Sequence, residues 1–191
     1  MRRALKILVL QAAAGLVWAP ASARADSWVA PFAGIDFGST ANTNGRGAYG
    51  VDIGGMGAGI VGGEVDFGWI PHFFGDTGTF GSNYELNLHG NVIVGIPIGG
   101  QHGAGIRPYA TAGAGWTRTS IGNINNLPPI KSDGPAFNLG AGAMGFFNDH
   151  VGLRGDVRYF RDFHNNAGAN QFNLDLGGLH FWRATVGVVF R

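Results

Sequence analysis

Six charged residues are the candidates for chemistry inside the folded chain, and they are Glu64, Asp66, Arg107, Arg154, Asp156 and Arg158. Glu64 and Asp66 stand two residues apart, and Arg154, Asp156 and Arg158 repeat that spacing. Two close carboxylates are typical of general acid–base catalysis, but neighbouring guanidinium groups would keep both carboxylates ionised. We therefore interpret the six residues as a structural charge network, with an ion path or gate as the alternative.

Other motifs that could bind a nucleotide or a metal are weak. The pattern Gly-x-Gly-x-x-Gly occurs at 57–62 and at 140–145, but a dinucleotide site needs a helix after it, and both matches alternate like strands. The six histidines form no His-Glu-x-x-His motif, and the chain has no cysteine. We predict no catalytic, cofactor-binding or metal site, and we expect His89 to be a hydrogen-bonded structural histidine.

The composition excludes two classes of protein. Glycine takes 35 of the 191 positions, yet it shows no Gly-X-Y period, and this excludes collagen. The formal net charge is +1, so no basic surplus is available for nucleic acid.

Residues 1–25 have the features of a secretory signal peptide. Three basic residues precede an apolar stretch at 7–17, which is too short to span a membrane as a helix. The small residues around Ala25 predict cleavage before Asp26. The domain that remains would be 26–191.

The remaining sequence alternates between apolar residues and polar or small ones, and this period of two predicts β-strands. Val65 and Phe67, for example, share one face of their segment, whereas Glu64 and Asp66 share the other. The pattern predicts eight strands, at 28–38, 48–54, 60–70, 84–96, 106–117, 136–147, 151–161 and 182–190.

The predicted connections alternate in length. The long, polar ones are at 39–47, 71–83, 118–135 and 162–178. The others are tight or intermediate, at 55–59, 97–105 and 148–150. This order predicts an all-β fold: an eight-stranded antiparallel up-and-down transmembrane β-barrel with short periplasmic turns and long outer loops.

The two faces of the strands differ in a way that favours a membrane. A soluble sheet would expose lysine and glutamate on its polar face, but Lys131 is the only lysine after the predicted signal peptide. We expect the small, sparsely charged face to fill a narrow lumen and the apolar face to contact lipid. Aromatic residues near the strand ends are expected to anchor the barrel at the interfaces, with Trp69, Trp116, Phe137 and Trp182 outside and Phe147 and Phe190 on the periplasmic side.

The segments 63–69, 91–97, 107–109 and 152–160 resemble the small bacterial outer-membrane β-barrel proteins, the single-domain relatives of the OmpA membrane domain and of OmpX. The resemblance covers nearly the whole predicted mature chain. It implies a location in the bacterial outer membrane, contact with its lipid, and insertion by the outer-membrane assembly machinery. In this family a C-terminal aromatic residue serves as the insertion signal. Phe190 resembles that residue, although Arg191 follows it.

The function expected from these features is a structural or cell-surface interaction role of a monomeric, non-enzymatic barrel. Recognition of a surface ligand would use the connections 71–83 and 118–135, which contain apolar residues. The alternatives are a narrow porin-like channel for small solutes, a lipid-modifying barrel enzyme and a soluble exported β-protein. The deacylase type of barrel enzyme uses a His-x-Ser pair, which this sequence does not contain.

Overall fold

The computed structural model of the protein describes residues 25–39, 45–75, 82–99, 103–122, 130–163 and 179–191. Eight antiparallel strands form a closed barrel in sequence order, β1 pairing with β8. The strands are β1 (Ala25–Phe37), β2 (Gly47–Gly57), β3 (Val61–Pro71), β4 (Asn83–Gly95), β5 (Gly105–Ile121), β6 (Ile130–Phe146), β7 (Val151–Asp162) and β8 (His180–Phe190). The predicted eight-stranded antiparallel barrel is confirmed.

No helix in these described ranges is long and apolar enough to cross a membrane. The predicted signal peptide, up to residue 24, lies outside the described residues, as does most of each long connection. Its cleavage before Asp26 stays a prediction.

The barrel has two unlike ends. The connections after β1, β3, β5 and β7 leave from one end, here called the long-loop end. The connections 58–60, 96–104 and 147–150 lie at the opposite, short-turn end, together with the start of β1 and the end of β8. The tightest of these turns has positive φ at Ala58 and at Gly59.

The register of the strands makes the barrel strongly staggered. A path through directly paired residues starts at Asp26 on β1 and returns to β1 at Asp36, ten residues further on. Its members are Asp26, Met56, Gly62, Ile93, Thr111, Gly140, Arg158, Arg183 and Asp36. A stagger of this kind requires the strands to tilt relative to the barrel axis. Inward side chains from strands that are not neighbours can therefore meet inside the lumen.

Alternation along each strand separates a lumen face from an outer face. On β7, Arg154, Asp156 and Arg158 are buried in the lumen, whereas Leu153 and Val157 are exposed on the outer face. The glycine-rich face is therefore the inner one, as the sequence predicts.

Two apolar clusters fill the lumen, one toward each end. The cluster toward the short turns contains Trp28, Ala30, Met56, Ile93, Tyr109, Met144, Phe146 and Val189. The cluster toward the long loops contains Ala48, Ile70, Phe73, Phe160, Leu179 and Phe181, with Phe74 packed against it. Because both clusters are buried, the charged residues between them lie in a closed interior.

The predicted long connection 118–135 is wrong at both ends, because β5 continues to Ile121 and β6 already begins at Ile130. The inward alternation extends past the expected strand end, with Thr119 and Ile121 both buried. Pro135 pairs in register with Trp116, and its carbonyl accepts a hydrogen bond from the N–H of Phe163 at 2.9 Å. Only 122–129 connects the two strands, and 123–129 lies outside the described residues.

Candidate functional site in the barrel lumen

The middle of the lumen holds a group of charged side chains that we call the central charge network. Its members come from four strands, β2, β3, β7 and β8, and each is at most 5% exposed. They are Asp52, Glu64, Asp66, Arg154, Asp156, Arg158 and Arg183. The alternation of side chains along each strand directs all of them inward.

Arg158 contacts all four carboxylates of the central charge network. Its Nη1 lies 2.8 Å from Oε1 of Glu64 and 3.3 Å from Oδ2 of Asp66. Its Nη2 lies 2.9 Å from Oδ2 of Asp156 and 3.5 Å from Oδ2 of Asp52. The planar guanidinium fork suits such multiple pairing. Arg158 therefore joins β7 to β2 and β3 across the lumen.

Arg154 forms a second bridge across the lumen. Its Nη2 pairs with Oε2 of Glu64 and lies 3.4 Å from Oδ2 of Asp52. Its Nε donates a hydrogen bond of 2.8 Å to the hydroxyl of Tyr109. That hydroxyl in turn donates to Oδ2 of Asp156 at 2.8 Å. These contacts connect the charged residues to the apolar cluster toward the short turns.

Arg183 closes the network toward the long loops. Its Nη2 pairs with Oδ2 of Asp66, and its guanidinium lies 4.8 Å from the ring centre of Phe32 and 4.6 Å from that of Phe160. A β-carbon at Gly68 would collide with Nη1 of Arg183, so a larger residue there would require the guanidinium to shift. Stacking on two aromatic faces offsets part of the cost of burying the cation.

Polar side chains donate further hydrogen bonds to two of the carboxylates, those of Glu64 and Asp156, whereas Oδ1 of Asp52 and Oδ1 of Asp66 accept none from the described residues. The amide of Asn91 donates to Oε1 of Glu64 at 3.1 Å, and the amide of Asn138 donates to Asn91 at 2.7 Å. The hydroxyl of Thr185 donates to Oδ1 of Asp156 at 3.1 Å. Every charged member of the network has at least one opposite charge within 4 Å, and such pairing offsets the cost of burying the charges. The arrangement therefore suits a fixed structural core.

Arg107 belongs to a separate charged group at the short-turn end. Its Nη1 lies 2.7 Å from Oδ2 of Asp26, and Nε of Arg191 lies 2.9 Å from Oδ1 of the same carboxylate. The guanidinium carbon of Arg191 is 3.6 Å from the ring centre of Phe146. Burial lowers the pKa of Arg191, and the nearby carboxylate of Asp26 opposes that shift. The expectation that Arg107 joins the central residues is therefore wrong, because it lies near the beginning of β5.

Residues 72–75 fold over the lumen at the long-loop end. Phe73 is buried among Phe160 and Phe181 rather than exposed. The side chain of Asn83 accepts a hydrogen bond from the N–H of Phe74 at 2.9 Å and donates to the carbonyl of Gly75 at 3.1 Å. This part of the predicted recognition loop 71–83 is therefore a cover for the barrel interior, and 76–81 lies outside the described residues.

Two members of the central charge network, Asp52 and Arg183, are not among the residues predicted from the sequence. Both lie on the inward face of predicted strands, so the same alternation could have identified them. His89 is buried against Phe160, with ring centres 5.3 Å apart, but neither ring nitrogen has a hydrogen-bond partner among the described residues. The hydrogen bond expected for His89 is therefore not made by any described residue. Within the described ranges, no group of three or more His, Cys, Asp or Glu residues could hold a metal ion.

The six aromatic residues predicted to lie at the membrane interfaces all occupy outward positions, four of them near strand ends, whereas Trp116 and Phe137 lie within the extended β5 and β6. Trp69 and Trp182 are exposed toward the long-loop end, and Trp116 and Phe137 are half-buried there. Phe147 and Phe190 are exposed at the short-turn end. Anchoring at the interfaces and an insertion signal at Phe190 stay predictions.

The sequence matches a protein family described as "Outer membrane protein beta-barrel domain" over residues 9–181. Similar solved structures include the N-terminal β-barrel domain of Pseudomonas aeruginosa OprF, at 18% identity and a TM-score of 0.53, covering 86% of this chain and 95% of that chain. Neisserial surface protein A is 13% identical, with a TM-score of 0.62 and coverage of 86% and 96%.

Ail, the attachment invasion locus protein of Yersinia pestis, is 11% identical, with a TM-score of 0.53 and coverage of 86% and 97%. At these identities the solved structures show a common fold. A comparison of the sequence with curated proteins found no match.

Proposed function

Because the chain belongs to the outer membrane protein β-barrel domain family and is therefore a bacterial outer-membrane protein, we propose that it is a closed, monomeric barrel with a structural or cell-surface role. It acts through the connections at its long-loop end and conducts no solutes. Its apolar outer face contacts lipid, and the cellular assembly machinery inserts it. No catalytic step is part of this function.

The observation that carries the proposal is the filled lumen. Three arginines and four carboxylates of the central charge network are buried between two apolar clusters. The interior of an eight-stranded barrel is just wide enough for side chains to fill it. A solute would have to displace both the buried ion pairs and an apolar layer.

Conductance in a planar lipid bilayer tests the closed barrel. We expect the purified, refolded protein to give negligible current, because no described layer of the lumen is open to water. The matched variant Met144→Ala removes a buried apolar side chain toward the short turns and should remain non-conducting, because the charged layer persists. Steady single-channel currents from the unmodified protein would support the alternative of a narrow porin-like channel.

Accessibility on intact cells tests the orientation of the barrel. Outer-membrane barrels place short turns in the periplasm and longer loops outside, so an epitope tag inserted at Asn125 should be labelled by antibody without permeabilising the cells. A tag at Asp149, in the turn between β6 and β7, should be labelled only after permeabilisation. The reverse pattern would contradict the proposed surface role.

One neighbour suggests the kind of ligand that such a surface can bind. The structure of Ail was determined in complex with the heparin analogue sucrose octasulfate, and that chain is 11% identical to this one. In this protein, recognition would use 76–81 and 122–129 in place of the longer connections first expected. Binding of cells to an immobilised sulfated sugar such as sucrose octasulfate should be lost when 123–127 is replaced by a short Gly-Ser linker, while folding of the barrel persists.

A further inference from the structure

The outer face of the barrel is polarised in its charges. In the described strands, the outward positions of β1 to β4 carry no charged residue or histidine, whereas those of β5 to β8 carry several, among them Arg118, Asp133, Arg161 and His180. All four lie toward the long-loop end. A charged side chain facing lipid is costly at the middle of the bilayer and tolerated near the interface.

The two arginines of this charged region differ in whether an acidic residue lies beside them. Arg118 is directly paired in register with Asp133, and the carboxylate of Asp133 accepts a hydrogen bond from Nε1 of Trp116 at 3.2 Å. Arg161 is directly paired with Phe137 on one side and with His180 on the other. Among the described outward positions, no acidic residue neighbours Arg161 on these strands.

Aromatic rings surround Arg161 at the same level of the barrel. Tyr159 lies 5.2 Å from Trp182 and 5.8 Å from His180 between ring centres, and Phe137 lies 5.2 Å from Phe163. Aromatic belts mark the level of the lipid headgroups. The guanidinium of Arg161, which is exposed, therefore lies at the depth of lipid phosphates.

From these observations we propose that the outer ends of β6, β7 and β8 form a binding site for a phosphate of an outer-leaflet glycolipid, centred on Arg161 with His180 beside it. A guanidinium offers two parallel N–H donors to a phosphate. The aromatic rings contact the sugar and the upper acyl chains, which restricts the site to lipid and not to free phosphate. The inference depends on the membrane location of the barrel and not on the proposed closed lumen.

The test measures retention of bisphosphorylated lipid A by the folded, detergent-solubilised protein, with bound lipid counted by native mass spectrometry. Arg161→Gln should weaken binding about fivefold, the effect of about 1 kcal/mol per basic residue near an anionic lipid surface. Arg161→Lys should retain most of the affinity. Arg118→Gln is the control, since it removes the same charge from the same long-loop end of the barrel. It should weaken binding less than Arg161→Gln does.

A second measurement keeps the test independent of any folding defect in the variants. The unmodified protein should bind lipid A with both phosphates removed about fivefold more weakly than the phosphorylated form, and inorganic phosphate should not compete. Folding of each variant is checked by heat-modifiable migration in gels. Equal losses for Arg161→Gln and Arg118→Gln, or equal binding of the two lipid forms, would overturn the proposal.

Discussion

The inner and outer faces of the same strands are stabilised by different kinds of interaction. On β7, Arg154 and Arg158 each contact particular carboxylates on other strands, whereas Leu153 and Val157, one residue away, are exposed to the surroundings of the barrel. The inner face is specified by pairs of side chains, and the outer face by its apolar character alone. Substitutions on the two faces should therefore fail for different reasons.

The largest effect is expected at the centre of the lumen. Arg158→Met removes the one guanidinium that contacts all four carboxylates, and breaking a buried ion pair from one side costs about 3–5 kcal/mol. Reversible urea unfolding in phosphatidylcholine vesicles measures the loss. The control is Arg161→Met on the outer face of the same strand. A similar loss of unfolding free energy in both variants would contradict the difference between the faces.

A slightly smaller effect is expected for a charge placed on the lipid face. Val65 lies midway along β3 and points outward, and an arginine at the bilayer midplane costs about 2–4 kcal/mol. Val65→Arg should therefore unfold at lower urea and assemble poorly, whereas Val65→Leu should behave like the unmodified protein. Equal stability of the two variants would mean that this face does not contact lipid.

Glycines on the two faces offer a third comparison. A β-carbon at Gly142 would lie 2.5 Å from Cβ of Asp156 and 2.6 Å from the hydroxyl of Tyr109, whereas one at Gly155 would meet no atom closer than 3.6 Å. Overpacking a filled interior costs about 1–3 kcal/mol. Gly142→Ala should therefore destabilise the barrel in the same unfolding assay, and Gly155→Ala should change the stability little. Equal tolerance would show that the lumen has spare room.

The period of two was enough to predict the number of strands and the direction of each side chain. It predicted too short a β5 and β6, because Gly134 and Pro135 are typical of loops and only the pairing with a neighbouring strand shows that they belong to β6. Which charged residues pair with one another depends on the stagger of the barrel. The sequence of a single strand does not determine that stagger. Arg107 and Arg158 look alike in the sequence, yet the register separates them into different layers.

The smallest effect is expected at the short-turn end, where charges lie close to solvent. The side chain of Asp26 is 17% exposed and that of Arg191 is 8% exposed, in contrast to the fully buried Arg158. Arg191→Gln removes one ion pair and a cation–π contact with Phe146, while Arg107 still pairs with Asp26.

Partly exposed contacts of these kinds contribute about 0.5–1 kcal/mol. Arg191→Gln should therefore lower the unfolding free energy by about that amount at low salt, and by less at 1 M salt, where surface charges are screened. The cost of Arg158→Met should be the same at both salt concentrations, because salt screens buried pairs much less. If the two variants respond alike to salt, the centre of the lumen is open to water and ions, and the difference between a sealed core and a solvated rim is lost.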